Sequence, residues 1–423
     1  MLQLITARYV MPVSAPVIEN GAVLINSRSI MAVGRRATLA VANPEATTVD
    51  FGDAVILPPM VNAHTHLELT DYPTWALQAG FSNLSESFAD WVVKLVKVRN
   101  AQPIAKIKNS LKSGLDQVLK AGTGAIGDIL TTLNIHEVYN RTSLKGRIFC
   151  ELLGHDLTKI NERLDFIQES LLRSPPGRFG LGLAPHAPYT LTSTALSHIV
   201  LWSERHELPL AIHLAETKEE TEFLSGKTGP IAERIFPAAK WRVDDFSDLP
   251  ANSSVQWLIN NAVLPAGSLV VHGVHLTEAD INDVARYSWH VVLCPRSNSH
   301  FGDSRAAVAS YRKAGINLAL GTDSRASVSS LSLWDELAYA WRHFPGVCGP
   351  SEWLDIATRG GAKALGVDAI MGRLEPGLGA NFQIVVPPEI PSTGELAEAL
   401  CAHADMIDVK ALYIDGENIL SVN

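Results

Sequence analysis

Cysteine is scarce. The chain has four in 423 residues, Cys150, Cys294, Cys348 and Cys401, and no two form a Cys-x-x-Cys pair. That spacing excludes a structural zinc finger and argues against a disulfide framework. Cys150 and Cys294 lie in apolar runs and read as small buried hydrophobes. Clustered basic residues are also missing. The formal net charge is −9, the wrong sign for a surface that grips a nucleic-acid backbone. No apolar run reaches the roughly 18 residues that a membrane-spanning helix requires. The opening residues, MLQLITARYVMPV, lack the basic flank and long apolar stretch of a secretion signal, so the expected location is the cytoplasm. The stretch GKTGP at 226–230 looks like part of a phosphate loop, but Thr221 stands where that motif needs a glycine. There is no Gly-x-Ser-x-Gly nucleophile elbow either.

What is present is apolar sequence, 47% of the chain, enough for a large core. The first 55 or so residues (LQLITARYVM, GAVLINSRSIMAVG, TTVDFGDAVILP) alternate apolar and polar residues between turn signals, the pattern of short strands. The end of the chain repeats it in NFQIVVPP and VKALYIDGENIL, with a hairpin signal at Asp415-Gly416. Residues 1–56 and 374–423 are therefore expected to form one small β-sandwich domain from both termini. Between them, eight short β-like runs alternate with helical stretches: AVILPPMVNAHTH, GTGAIGDIL, GRIFCELLG, FGLGLAPH, LPLAIHLAE, SLVVHGVH, HVVLCPRSN and INLALGTDS. Eight β/α repeats predict a (β/α)₈ TIM barrel over 57–373. The connection from Glu216 to Gly267 is unusually long, and such loops are functional or carry helices of their own.

Active sites of such barrels lie at the C-terminal ends of the strands. Those ends carry His64 and His66, Asp128, Glu151 and His155, His186, His213 and Glu216, His272 and His275, Arg296 and Asn298, and Asp323. Three neutral imidazoles and a carboxylate suit one Zn²⁺ or Fe²⁺ ion, so His64, His66, His213 and Asp323 are the candidate ligands. For the histidine pair alone, burial in a core is an equal reading; the two distant strand-end ligands tip it towards metal. Glu216, three residues past His213, is placed to shuttle a proton, against the alternative of a solvated loop acid beside Glu219 and Glu220. His272 follows its apolar run directly and is preferred over His275 for orienting the nucleophile. Asp323 is expected both to ligate and to accept a proton. His186 and Asn298 are expected at the substrate. Arg296 could hold a substrate carboxylate, a structural role being the alternative. Trp75, Phe81 and Trp91, with the loop after the first strand, could form a lid, though Trp91 at helical spacing also fits the core. No lysine ends the fourth run, so one metal rather than two is expected.

With these residues in place, the chain resembles the amidohydrolase superfamily, in its cyclic deaminase and chlorohydrolase branch. The resemblance is carried by NAHTH, HLAET, VVHGVHLTEADI, CPRSN, LGTDSRAS and GRLEPGLGANFQIV. It implies the same ligand set, a proton-shuttling role for Glu216 and a catalytic one for His272. One departure is Asn381, where the family often has Asp; it falls in the β unit. Another is VKLVKVRN after Trp91, which lacks the ribose-binding glutamate of adenosylhomocysteine-type deaminases. The combination HTHLEL, FADWVVKLV and FLSGKTGPIAERI is similar to the aminodeoxyfutalosine deaminase subgroup, tied to menaquinone synthesis. The expected reaction is hydrolytic deamination of an aminated heteroaromatic ring, best an adenine-nucleoside-like compound. Adenosine, methylthioadenosine or adenosylhomocysteine deamination, and triazine dechlorination or cyclic-amide hydrolysis at the same centre, are the alternatives. A non-catalytic scaffold would have lost its ligands, and all four are intact. The resemblance also implies a small-molecule substrate and a possible homodimer.

Overall fold

The computed structural model describes residues 2–81, 87–246, 249–302 and 305–420. Its strands run in three groups. The first is β1 (Leu2–Val10), β2 (Ile18–Asn26), β3 (Ser29–Arg35), β4 (Thr47–Asp50) and β5 (Val55–Leu57). Then come β6 (Met60–Thr65), β7 (Thr123–Leu130), β8 (Lys145–Leu152), β9 (Phe179–Pro185), β10 (Ala211–Leu214), β11 (Leu269–His272), β12 (His290–Leu293) and β13 (Leu318–Leu320). The last are β14 (Phe382–Val386), β15 (Asp408–Ile414) and β16 (Glu417–Asn418).

The middle eight strands form two four-stranded parallel sheets, β6-β7-β8-β9 and β10-β11-β12-β13. A single parallel bridge joins them at each seam, Leu183 to Leu210 and Thr65 to Asp323, so the eight strands make a TIM-type ring. The period of two along each strand decides what fills it. Val61 and Ala63, Ala125 and Ile129, Leu269 and Val271, Val292 and Cys294 belong to one buried cluster inside the ring. The alternate residues Met60, Ile126, Ile148, Leu181, Ile212 and Val270 pack outward into the larger core under the helices. Leu412 and Ile414 of β15 join the inner cluster.

The terminal strands pair in one sheet, in the order β16-β15-β14-β5-β1-β2-β3, with β4 also on β1. Hydrogen bonding joins these eight strands in one continuous sheet. The sheet encloses its own apolar cluster, including Ile5, Val23, Ile56, Phe382, Ile384 and Tyr413. Asn381 links it locally, donating to the Ile370 carbonyl at 2.9 Å and accepting from Asp415 N–H at 2.9 Å. The hairpin at Asp415-Gly416 has φ of 51° and 79°, the left-handed pair that a two-residue turn of this kind needs. The long connection after Glu216 carries helices, among them Lys218–Gly226 and Ser254–Asn261. Among the described residues, no helix is long and apolar enough to cross a membrane.

Candidate metal centre

Four strand ends converge on one buried cluster of imidazoles. Donor nitrogens of His64, His66 and His213 lie within 4.8 Å of one another. Their ring centroids are 4.9 Å apart for His64 with either partner and 5.3 Å for His66 with His213. Asp323 Oδ1 stands 3.6 Å from Nε2 of both His64 and His66. Two backbone details bring this about. The β6–β7 register slips between Asn62 and Thr65, a bulge of the kind that re-aims strand-end side chains. Across the seam, Gly321 has no room for a side chain, since a Cβ would lie 2.8 Å from His64 Cβ and 2.9 Å from its carbonyl oxygen. Asn62 then fixes Thr322 by two hydrogen bonds, 2.7 and 3.0 Å, and Asp323 N–H donates to the His64 carbonyl at 3.1 Å.

The donor set fits one divalent ion. Burial lowers the pKa of His64, His66 and His213, which leaves the neutral rings a metal prefers. His213 Nδ1 donates to the His186 carbonyl at 2.9 Å, so Nε2 keeps the lone pair. His64 Nε2 is buried with no hydrogen-bond partner, a costly state that ligation would relieve. Burial works against charge on Asp323, yet the imidazoles of His64, His66 and His272 hold its pKa well below the usual range. Its Oδ2 accepts from Ser297 at 2.5 Å and Ser327 at 3.2 Å.

Glu216 and His272 flank the ligands. His272 Nε2 is 3.5 Å from Glu216 Oε1, and its ring centroid is 5.5 Å from that of His213. By alternation with Leu269 and Val271, His272 belongs to the outer face of the ring. A left-handed backbone, φ 72°, breaks the alternation there, and Asn298 Oδ1 accepts from its Nδ1 at 2.8 Å. Glu216 is buried, and desolvation together with Asp323 and Glu220 raises its pKa well above the ordinary carboxyl value. Glu220, in the first turn of Lys218–Gly226, is fully buried. It accepts the N–H groups of Ala215 and Glu216 at 2.9 and 3.2 Å, holding Ala215 at φ 53°. Glu219 reaches the other way and accepts Phe88 and Ala89 N–H at 3.0 and 2.9 Å, capping the helix Phe88–Asn100.

The other expectations divide. His186 joins the cluster, its ring 5.0 Å from that of His213. Asn298 touches His272 as above. Arg296 is a correction: its guanidinium donates to Glu336 at 2.6 Å and to Ser330 and Ser332, because buried Glu336 needs a cation. Trp75 is buried in the core as part of Tyr72–Gln78, not in a lid. Trp91 packs on Phe301 at 4.8 Å, in an aromatic wall that includes Phe88 and Tyr189. Residues 82–86 of the expected lid lie outside the described residues. His275 is half-buried, tied by its N–H to the Ala215 carbonyl at 2.9 Å. Sequence reasoning gave no role to Glu220, since a solvated acid and a buried clamp read alike. Glu151 was visible as a strand end and no more.

The amidohydrolase family pattern matches residues 55–419. The aminodeoxyfutalosine deaminase of Deinococcus radiodurans is 30% identical over 356 residues, 82% of this chain and 81% of that protein. A 5-methylthioadenosine/S-adenosylhomocysteine deaminase of Nitratidesulfovibrio vulgaris is 28% identical over 421 residues, 95% and 88% of the two chains. The fold is that of the Helicobacter pylori aminofutalosine deaminase in complex with methylthio-coformycin, with a TM-score of 0.83 at 22% identity over 99% of this chain and 100% of that one.

Proposed function

The chain belongs to the amidohydrolase family, and on that premise we propose that it is a hydrolytic deaminase of adenine nucleosides, with 6-aminodeoxyfutalosine as the first substrate to try. The observation that carries this reading is one cluster in which His64, His66, His213 and Asp323 lie beside Glu216 and His272, the last two 3.5 Å apart. The most similar relatives named above are adenine-nucleoside deaminases, and the apolar wall of Phe88, Trp91 and Phe301 suits a flat ring.

His64, His66, His213 and Asp323 would hold one Zn²⁺ or Fe²⁺ ion. When bound, the ion supplies a water nucleophile usable at neutral pH. The rest is done by side chains. Glu216, kept protonated by burial, gives its proton to the ring nitrogen beside the amine-bearing carbon. Neutral His272 orients the attacking oxygen through Nε2. Asp323 takes one proton of the attacking water and passes it to the amine, which leaves as ammonia when the carbon–nitrogen bond breaks. The remaining water proton returns to Glu216 as the carbonyl forms, and the cycle closes.

The test is ammonia release by the metal-loaded chain from 6-aminodeoxyfutalosine, 5-methylthioadenosine, S-adenosylhomocysteine and adenosine, with elemental analysis for zinc and iron. A stoichiometric metal with no ammonia from any of the four sinks the reading.

A further inference from the structure

Consecutive residues of the short helix Pro295–His300 hold three different parts of the molecule. Ser297 Oγ donates to Asp323 Oδ2 at 2.5 Å. Asn298 Oδ1 accepts from His272 Nδ1 at 2.8 Å. Arg296 turns instead to the helix Leu333–His343. There the buried Glu336 accepts its backbone N–H on Oε1 at 2.8 Å and its Nε–H on Oε2 at 2.6 Å. The rest of the guanidinium donates to the Ser330 hydroxyl and carbonyl and to the Ser332 carbonyl, at 3.1, 3.0 and 3.3 Å. Those groups belong to the backbone leading into the same helix.

The two inner contacts decide which atoms stay available. Ser297 and Ser327 occupy Asp323 Oδ2, and Oδ1 is left 3.6 Å from Nε2 of both His64 and His66. An accepting oxygen at His272 Nδ1 keeps the ring proton there. Nε2 is then the free nitrogen, 3.5 Å from Glu216. Because 297 and 298 share one turn, any shift of that turn disturbs both contacts together. A helix of six residues has little stability of its own, so its place is set from outside.

The outside anchor is ionic. A buried ion pair adds little net stability over apolar side chains of similar volume. What it adds is direction, since a planar guanidinium fixes angle as well as distance. Glu336 grips the backbone and the side chain of one residue, which fixes both where the turn begins and how it is rotated.

We propose that Glu336 and Arg296 are positioning residues, which pin the helix Pro295–His300 so that Ser297 aims Asp323 and Asn298 aims His272 as one unit. This rests on the roles proposed above for Asp323 and His272, and goes beyond them by placing their control in a helix that carries no site residue.

The experiment is a double-mutant cycle with two readouts: zinc affinity by chelator competition, and kcat and KM for ammonia release by the zinc-loaded chain. Glu336→Gln should weaken zinc binding and lower kcat, each about tenfold, with KM within about twofold of wild type. In a Ser297→Ala/Asn298→Ala background, which has already lost both inner contacts, the same substitution should change either readout by no more than about twofold. A merely structural role lets the losses multiply. Arg296→Lys keeps the buried charges paired while losing the fork, and carries the same cycle if Glu336→Gln does not fold. The inference is overturned if the losses multiply in either readout, or if both variants match wild type in zinc affinity and kcat. If wild type binds no zinc, the ligand assignment falls and the inference with it. If zinc binds but no nucleoside releases ammonia, the deaminase reading falls and the zinc cycle alone decides the inference.

Discussion

The rim of the barrel and the terminal sheet both use left-handed backbone at residues other than glycine, for different purposes. In the sheet it makes turns: Ser27, φ 51°, and Asp415, φ 51°, reverse the chain between paired strands. Turns of this kind tolerate short polar side chains in the left-handed region. At the rim, Ala215, His272 and Asp323 have φ of 53°, 72° and 58° and are buried at the ends of strands. Each is held by a side chain outside its strand: Ala215 by Glu220 in the following helix, His272 by Asn298, Asp323 by Ser297 and Thr65. Strain of this kind persists only where the surroundings over-determine it. The difference teaches where function was built. The sheet spends its unusual backbone on reversing direction, and the rim spends it on aiming side chains.

The comparison can be broken most sharply at the ligands. His66→Ala should drop bound metal well below one ion per chain and abolish turnover, while far-ultraviolet circular dichroism stays native because the core clusters are untouched; metal retained at wild-type level would contradict the ligand assignment. Next is Glu216→Gln, which should keep its metal and lose on the order of 10²–10⁴ in kcat, the range for removing a general acid. The same assignment fixes a pH limb. The active form is the protonated carboxyl, so kcat/KM is present below the raised Glu216 pKa and declines as pH climbs through it; a flat profile in that direction would count against the role. Glu220→Gln sharpens the contrast between holding and reacting. It should lower kcat about tenfold with metal content unchanged, since its partners are the backbone that carries Glu216 and the Ser254 hydroxyl, none of them a proposed ligand. The smallest effect belongs to the sheet. Asp415→Asn weakens ion pairs with Lys145 and Arg178 and should cost about 1 kcal/mol in urea unfolding, leaving kcat/KM as it was.

Much of this was legible in the sequence. Seven of the eight barrel strands fall within the apolar runs and β8 begins one residue before its run, because buried parallel strands are nearly continuous in Val, Ile, Leu and Ala. The residues of the proposed metal site were readable because the ends of apolar strand runs are readable. What escaped were details that packing alone fixes. Arg296 and Glu336 are 40 residues apart, and only packing shows that the acid claims the guanidinium. Glu220 looked like one of several loop acids until its two backbone bonds were seen. The reversal at His272 is a single dihedral, and no periodicity announces it.

The seam at Thr65–Asp323 has a consequence for biosynthesis. The two residues are separated by 258 positions, a contact of very high order, and loop closure of that span is unfavourable until other contacts reward it. A nascent chain presents His64 and His66 early, His213 midway and Asp323 near the end. The ion therefore cannot be fully caged until the ring has closed. Because an ion bound only by the closed form stabilises that form by mass action, metal uptake would act as the latch on the last step of folding, and the holo and apo chains should differ most in how fast the ring reopens.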